Sequence, residues 1–275
     1  MTFAASLSLH GAALLLGALA AAAAGCGGVA FYALEGVMLA GGLAGVLFSH
    51  APVWVSLLAS GAGGAAAAVL SGALPARGKG RQALAGFAFN GLSSALAMIA
   101  ARLLGGVSYS RKGYWLEIAG ENVTVFLPAA LGLALLVWLL MHHTRFGARL
   151  RLCGQSEAAD RLGVRVRGMR CLGLLLAGVL GGIGGLSALL SLGGGWRMAW
   201  GVGGMGYAAL AVSWAGRYKP LRVLPLTALP VLLYGVAAWL NTPEALLRAL
   251  PLLTGLMLLA AAGKKRPPAP DAAGI

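Results

Sequence analysis

Acidic residues are scarce in this chain, in which only seven of 275 residues are Asp or Glu. All charged residues together make up 10% of the sequence, whereas a soluble domain has about 25%. So little polar side-chain area cannot cover a globule in water, and this excludes a soluble fold. The shortage of carboxylates also disfavours a membrane enzyme, because Glu35 is the one acidic residue well inside an apolar run and the sequence has no HExxH motif and no acid-rich metal motif.

Cysteines and nucleotide-binding motifs are equally sparse. Cys26, Cys153 and Cys171 are odd in number and far apart, which argues against a disulfide framework or a zinc site. The stretch GVGGMG (201–206) matches the GxGxxG pattern, but it opens an apolar run and lacks the strand that precedes a dinucleotide site. We interpret its residues as packing glycines. We expect no cofactor, no metal and no ATPase activity in this chain.

Apolar residues dominate what is present, at 59% of the sequence with a mean hydropathy of +0.85. A helix needs about 20 apolar residues to cross the hydrocarbon layer. The sequence therefore predicts an all-α, polytopic membrane protein with eight or nine transmembrane helices. The predicted spans are 4–24, 28–48, 53–74, 82–104, 122–141, 171–192, 201–216, 221–240 and 244–262.

The 21 Lys and Arg residues predict the orientation of these spans. Most of them fall in four clusters, at 77–81, 145–170, 217–222 and 264–266, and successive clusters are separated by two spans. All four therefore face one side, which the positive-inside rule makes the cytoplasm. This arrangement places the C-terminus inside. The second span contains Glu35 and could be broken or re-entrant, so the side of the N-terminus stays open.

Glycine is abundant, at 44 residues, and part of it lies at small-xxx-small spacing. Examples are Gly41/Gly45, Gly178/Gly182 and Gly181/Gly185. Such spacing allows close approach of helices in lipid, where packing drives their association. We therefore expect tight, glycine-rich helix contacts. The chain should form one transmembrane domain over 1–262, followed by a disordered cytoplasmic tail over 263–275.

The basic loop at about 143–170 carries a local helix signal. Ser156 suits an N-cap, the acidic residues Glu157 and Asp160 favour a helix start, and Gly163 suits the C-terminal cap. The loop therefore predicts a helix of one to two turns from about Glu157 to Leu162. From these residues alone, two interpretations are equally good. The loop is either a docking element for a soluble partner or an ordinary surface loop whose arginines set the topology.

A resemblance favours the first interpretation. The segment TRFGARLRLCGQSEAADRLGVRV resembles the cytoplasmic loop of permease subunits of ATP-binding-cassette (ABC) importers for simple sugars, nucleosides and branched-chain amino acids. Three other stretches, GGVAFYALEGVMLAGG, GFAFNGL and GVGGMGYAALAVSWAGRYKPL, are similar to membrane segments of that family. The last is most similar to nucleoside or simple-sugar permeases that work with basic-membrane-lipoprotein-type binding proteins. The loop residues that match are Thr144, Phe146, Gly147, Leu150, Arg151, Gly154, Ala158, Ala159, Gly163 and Val164.

The resemblance implies a transport subunit that forms half of a membrane pathway for a small polar solute. Its implied partners are ABC ATPase subunits, a second and different permease, and an extracytoplasmic solute-binding lipoprotein, with the bacterial plasma membrane as its location. The loop would supply a coupling helix that contacts the ATPase, through Gly154, Glu157, Ala158, Ala159, Asp160 and Gly163. A branched-chain amino acid permease is the alternative within this architecture, and a stand-alone secondary carrier is the alternative outside it.

Two polar residues inside predicted spans are candidates for the translocation pathway. Glu35 would be costly in a membrane unless paired, so it either lines the pathway or accepts hydrogen bonds from backbone exposed at a nearby helix break. Asn90 either makes an interhelical hydrogen bond or contacts the solute. The Asn-Ile-Gly that usually precedes the glutamate in the family is replaced in this chain by Phe31, Tyr32 and Ala33, which leaves the solute open.

Overall fold

The computed structural model describes residues 3–73, 79–103, 114–118, 121–154, 159, 162–191, 202–240, 250, 253–258 and 260. Within these ranges the chain is almost entirely helical, with one short antiparallel hairpin. The helices are α1 (Phe3–Cys26), α2 (Leu34–Leu47), α3 (Val53–Ala73), α4 (Lys79–Leu103), α5 (Phe126–His143), α6 (Arg145–Cys153), α7 (Val166–Ser191), α8 (Met205–Ala215) and α9 (Pro220–Trp239). The strands are β1 (Trp115–Ile118) and β2 (Glu121–Thr124).

Six of the described helices, α1, α3, α4, α5, α7 and α9, are long and apolar enough to cross a membrane. Two more apolar helices, α2 and α8, are shorter. The predicted all-α, polytopic class is therefore confirmed. The predicted start of the fifth span is wrong, because residues 121–124 pair with β1 and the helix begins only at Phe126. Most of the predicted last span (244–262) and the whole tail (263–275) lie outside the described residues.

The bundle has two ends, which the connecting segments distinguish. We call the end that carries α6 and residues 162–165 the loop face, and the end that carries β1 and β2 the hairpin face. The Ser187 hydroxyl of α7 donates to the Leu9 carbonyl of α1 towards the hairpin face, 2.9 Å away. The Arg170 side chain of α7 donates to the Gly27 carbonyl at the loop face. Helices α1 and α7 are therefore antiparallel and run from one face to the other.

Helices α1 and α7 form the centre of the bundle and are largely buried, whereas about a third or fewer of the span residues of α3, α4, α5 and α9 are buried. Glycine allows α2, α3 and α7 to touch backbone to backbone. A Cβ atom on Gly185 would overlap the Met38 carbonyl, and one on Gly182 would overlap the Ser60 carbonyl. The predicted tight packing through small residues is confirmed at these positions.

Candidate functional site

The candidate site is centred on the acidic side chain of Glu35. It lies in the first turn of α2 and is 6% exposed. Its two carboxylate oxygens accept hydrogen bonds from the backbone amides of Gly204 (3.0 Å) and Gly206 (2.7 Å). Val202 and Tyr207 contribute further backbone hydrogen bonds. A buried carboxylate is thus satisfied by main-chain donors, as is required of a charge kept away from water.

The donors come from the segment that leads into α8. Gly203 and Gly204 have φ angles of 75° and 77°, in the left-handed region that favours glycine. This conformation turns the amides before and inside the first turn of α8 towards the carboxylate. Gly206 is needed for a second reason, because a Cβ there would lie 2.7 Å from the Glu35 Cα. The Glu35 carboxylate therefore sits where two helices begin, and the positive ends of both helix dipoles favour its charge.

This junction lies near the middle of the membrane. Asn90, close to the centre of the span Gln82–Ala100, accepts a hydrogen bond from the Gly36 amide at 2.8 Å. Helix α2 then runs towards the hairpin face, because Gly42 meets Gly185 in the hairpin-face half of α7. The segment around Glu35 is therefore a short helix that starts at depth, after an irregular stretch over 27–33.

Helix α8 runs in the opposite direction from the same point. Ala209 contacts Gly17 of α1, and the Tyr218 ring beyond the end of α8 lies against Gly25. Since α1 runs to the loop face, α8 does too. At about 1.5 Å per residue, neither α2 nor α8 spans the roughly 30 Å hydrocarbon layer. Irregular backbone at this depth is tolerated because it is buried in protein.

Asn90 is the second polar group of the site and is 4% exposed. Besides accepting from Gly36, its amide nitrogen donates to the Tyr32 carbonyl (2.9 Å) and to the Tyr207 hydroxyl (3.0 Å). Asn90 therefore ties α4 to the start of α2 and to α8. The predicted interhelical hydrogen bond is present, whereas solute contact by Asn90 stays a prediction.

Aromatic rings surround this amide, and we call them the aromatic cluster: Tyr32, Phe87, Tyr207 and Trp214. Phe87 of α4 stacks near Tyr207 of α8 with ring centroids 6.1 Å apart, and Tyr32 lies 5.9 Å from Phe87. Trp214 meets Tyr32 edge to face at 5.8 Å. Phe87 is 51% exposed and Tyr207 is half-buried. The cluster thus presents ring surface at the outside of the subunit, at the depth of Glu35.

The predicted loop sites are described only in part. Gly154 ends α6, and Glu157, Ala158 and Asp160 lie outside the described residues. Ala159 is helical and fully buried within the subunit. Gly163 has a φ of 67°, and the Val164 amide donates to the Ala159 carbonyl at 3.0 Å. This is the hydrogen bond of a glycine-terminated helix, so the predicted role of Gly163 as a C-terminal cap is confirmed.

The first half of the loop holds a helix that the sequence pattern did not predict. Helix α6 begins after Thr144, whose hydroxyl accepts from the Gly147 amide at 3.2 Å. Gly147 packs so closely on the carbonyls of Leu140 and Met141 that a larger residue would collide with them. The apolar face of α6 consists of Leu150 and Cys153 and is fully buried. It was hard to recognise in the sequence because arginines lie between the apolar residues.

Most of this chain matches a family of known proteins. Residues 3–262 match the model of the family described as "Branched-chain amino acid transport system / permease component". The chain belongs to this permease family. It is therefore a multi-pass transport subunit of the membrane, and the predicted permease role is confirmed.

Individual relatives of this permease carry more specific names. The nucleoside ABC transporter permease protein NupC of Lactococcus lactis subsp. cremoris (strain MG1363) is 29% identical over 234 residues, which cover 76% of this chain and 72% of the relative. The guanosine ABC transporter permease protein NupQ of Bacillus subtilis (strain 168) is 28% identical over 241 residues, which cover 78% and 75%.

A solved structure supports the fold of the permease. It shows a metal-chelate-type ABC transporter in an inward-facing conformation, with a TM-score of 0.51 and 18% sequence identity. The alignment covers 94% of this chain and 85% of that one. At this identity the likeness establishes a shared fold.

Glu35 and Asn90, the two polar residues of this site, could be found from the sequence, but their partners could not. The interpretation of residues 201–206 as packing glycines holds for Gly206, which packs against the Glu35 backbone, but it missed that the amides of Gly204 and Gly206 also bind the Glu35 carboxylate. The signal in the sequence for a left-handed turn was the adjacent pair Gly203 and Gly204, which precedes an apolar run. Phe87 could not be recognised from the sequence. An aromatic residue that lines a pathway and one that faces lipid look the same in an apolar span until their neighbours are known.

Proposed function

We propose that this permease serves an ATP-driven importer of nucleosides in the bacterial plasma membrane. The observation that carries the proposal is that both named relatives are nucleoside or guanosine permeases, similar over about three quarters of this chain. The family description also mentions branched-chain amino acids, which keeps that solute class as the second candidate. Its partners would be ABC ATPase subunits, a second permease and a solute-binding lipoprotein.

An uptake experiment separates these solutes. The permease is expressed with its partner subunits, and uptake of radiolabelled guanosine is measured in energised cells against excess unlabelled nucleosides, ribose or leucine. We expect uptake that unlabelled nucleosides inhibit and that vanishes when the catalytic residues of the ATPase are mutated. Inhibition by leucine without inhibition by nucleosides would assign the chain to amino acid import instead.

The aromatic cluster is the part of the subunit that best suits a nucleoside. A permease that supplies half of a pathway must line it with an exposed surface, and Phe87 and Tyr207 offer ring faces at membrane mid-depth. Stacking of a base on an aromatic side chain is worth about 1–3 kcal/mol. Phe87→Ala should therefore raise the KM for guanosine by roughly 5- to 150-fold.

A matched control for this variant lies on the same helix. Leu96 is also exposed and, nine residues along α4, points to the opposite side of the helix. Leu96→Ala should leave the KM unchanged. Equal effects of the two variants, or no effect of Phe87→Ala, would remove the aromatic cluster from the pathway while leaving the transport assignment intact.

We further propose that the loop face is cytoplasmic and contacts the ATPase through the segment around Gly163. Basic residues concentrate on this side, as the positive-inside rule requires of cytoplasmic loops. Leu162 supports a contact, because it is a large apolar side chain, 65% exposed, in an arginine-rich loop. Ala159, which is buried, would support the coupling helix from inside.

Variants of Leu162 test this contact. Leu162→Asp should reduce co-purification of the ATPase and abolish uptake, because a charge would enter an apolar interface. Leu162→Met keeps the apolar contact and should be tolerated. Normal uptake by Leu162→Asp would show that this part of the loop does not carry the interaction.

A further inference from the structure

Arg170 is a buried charge to which the proposed transport mechanism gives no role. It lies near the start of α7 and is 2% exposed. Its Nε donates to the Gly27 carbonyl at 3.2 Å, and its Nη2 donates to the Cys153 carbonyl at 3.3 Å. Cys153 is the last residue of α6, and Gly27 directly follows α1. One guanidinium therefore holds together the loop-face ends of three helices.

The chemistry of helix ends explains why an arginine occupies this position. The last carbonyls of a helix have no partner within the helix, and they carry the partial negative charge of the helix dipole. A cation is stabilised there, and the planar fork of arginine can reach two carbonyls at once. A lysine at position 170 would keep the charge but, as a single ammonium group, would not reproduce the fork.

The backbones at the ends of α1 and α6 are in direct contact beside Arg170. Gly28 has a φ of 80°, and a Cβ there would lie 3.1 Å from the Cys153 carbonyl oxygen. A Cβ on Gly154 would lie 3.0 Å from the Cys26 carbonyl oxygen. Backbone therefore meets backbone between the end of α1 and the end of α6, and the hydrogen bonds of the Arg170 guanidinium keep the two ends in this contact.

Helix α1 continues this connection into the membrane. It lies at the centre of the bundle, and its Gly17 packs against both Met38 of α2 and Ala209 of α8. These are the two short helices that begin at Glu35. A continuous set of close contacts thus runs from the end of α6 through α1 to the mid-membrane junction.

We infer that Arg170 is a positioning residue that transmits motion of the ATPase-contacting loop to α1 and so to the Glu35 junction. This inference rests on the proposed function, in which a separate ATPase moves the loop. Coupling between distant sites can be carried by packed side chains, hydrogen bonds and rigid secondary elements, and all three connect the loop to the junction here. Without the guanidinium fork, α6 could move with the ATPase while α1 and α7 stay in place.

The experiment uses the complete transporter in proteoliposomes, with uptake and ATP hydrolysis measured in the same vesicles. Loss of one charged hydrogen bond costs about 1.5–3 kcal/mol, or roughly 10- to 150-fold in an equilibrium. Arg170→Gln should therefore lower uptake about 10-fold or more while ATP hydrolysis falls less than about twofold. The ATP consumed per solute would rise, and Arg170→Lys should lie between Gln and the native chain.

Arg167 provides the matched control, because it is an exposed arginine one turn earlier in the same helix. Arg167→Gln should leave the ratio of ATP to solute unchanged. A parallel fall of uptake and hydrolysis in Arg170→Gln would reduce Arg170 to a structural cap and overturn the inference. So would native-like coupling, or the failure of both Arg170→Gln and Arg170→Lys to accumulate in the membrane. Absence of nucleoside uptake by the native transporter would instead refute the proposed function, since the ratio can be measured with any transported solute.

Discussion

Removal of the Glu35 carboxylate should destabilise the subunit in a graded way. Glu35→Ala leaves the amides of Gly204 and Gly206 buried without these acceptors, at about 1–3 kcal/mol for each orphaned donor. The expected loss is therefore about 2–6 kcal/mol. Glu35→Gln keeps one acceptor oxygen in the same shape and removes the cost of burying a charge, so its loss should be about half of this or less.

The measurement is the apparent midpoint of thermal unfolding in lipid nanodiscs, compared at a fixed heating rate because membrane proteins seldom unfold reversibly. At roughly 2–4 °C per kcal/mol for a chain of this size, Glu35→Ala should lower the midpoint by about 4–24 °C. Gly91→Ala is the control, since a Cβ at Gly91 meets nothing within 4 Å. Alanine favours a helix over glycine, so this control should be neutral or slightly stabilising.

The result also decides between the two roles considered for Glu35. A carboxylate that anchors two helices must affect stability and uptake together. A carboxylate that only lines the pathway would lower uptake and leave the unfolding midpoint unchanged. A midpoint for Glu35→Ala within about 1 °C of the native value would refute the anchoring role of the carboxylate at this junction.

Three further predictions concern packing, the loop and orientation. Gly185→Ala should cost about 1–3 kcal/mol by forcing α2 and α7 apart, whereas Gly132→Ala, in open space, should not lower the unfolding midpoint. Gly163→Val should reduce uptake at unchanged membrane abundance, because a side chain at φ 67° costs about 1–2 kcal/mol and distorts the helix cap, and normal uptake would contradict this. In intact cells that express a cysteine-free version of the permease, His50→Cys should react with impermeant thiol reagents and Leu162→Cys should not, and the reverse pattern would invert the orientation.

Several features of the fold could be predicted from the sequence because they depend on local composition. The long apolar runs predicted α1, α3, α4, α7 and α9 to within a few residues, since each must cross the hydrocarbon layer by itself. Gly163 was predictable as a cap for a similar reason, because the left-handed residue that ends a helix is chosen locally.

The starts of the short helices α2 and α8 were harder to predict, because the hydropathy of a segment does not indicate where its helical backbone begins. The span predicted at 28–48 is helical only from Leu34, and the one predicted at 201–216 only from Met205. In both, the apolar side chains continue across irregular backbone. That backbone is stable at depth because distant side chains satisfy it: the Glu35 carboxylate accepts from the Gly204 amide, and the Asn90 side chain donates to the Tyr32 carbonyl.

The sequence by itself determined that this chain lies in a membrane, where its long apolar helices fall and which end carries the positive charge, because each of these follows from the transfer of local segments between water and lipid. Only the tertiary structure decided that Glu35 binds amides far along the chain, that Asn90 links three helices and that Arg170 joins three helix ends. Such partners are chosen by where the helices pack, and a buried polar group accepts whichever donor or acceptor the fold brings within about 3 Å.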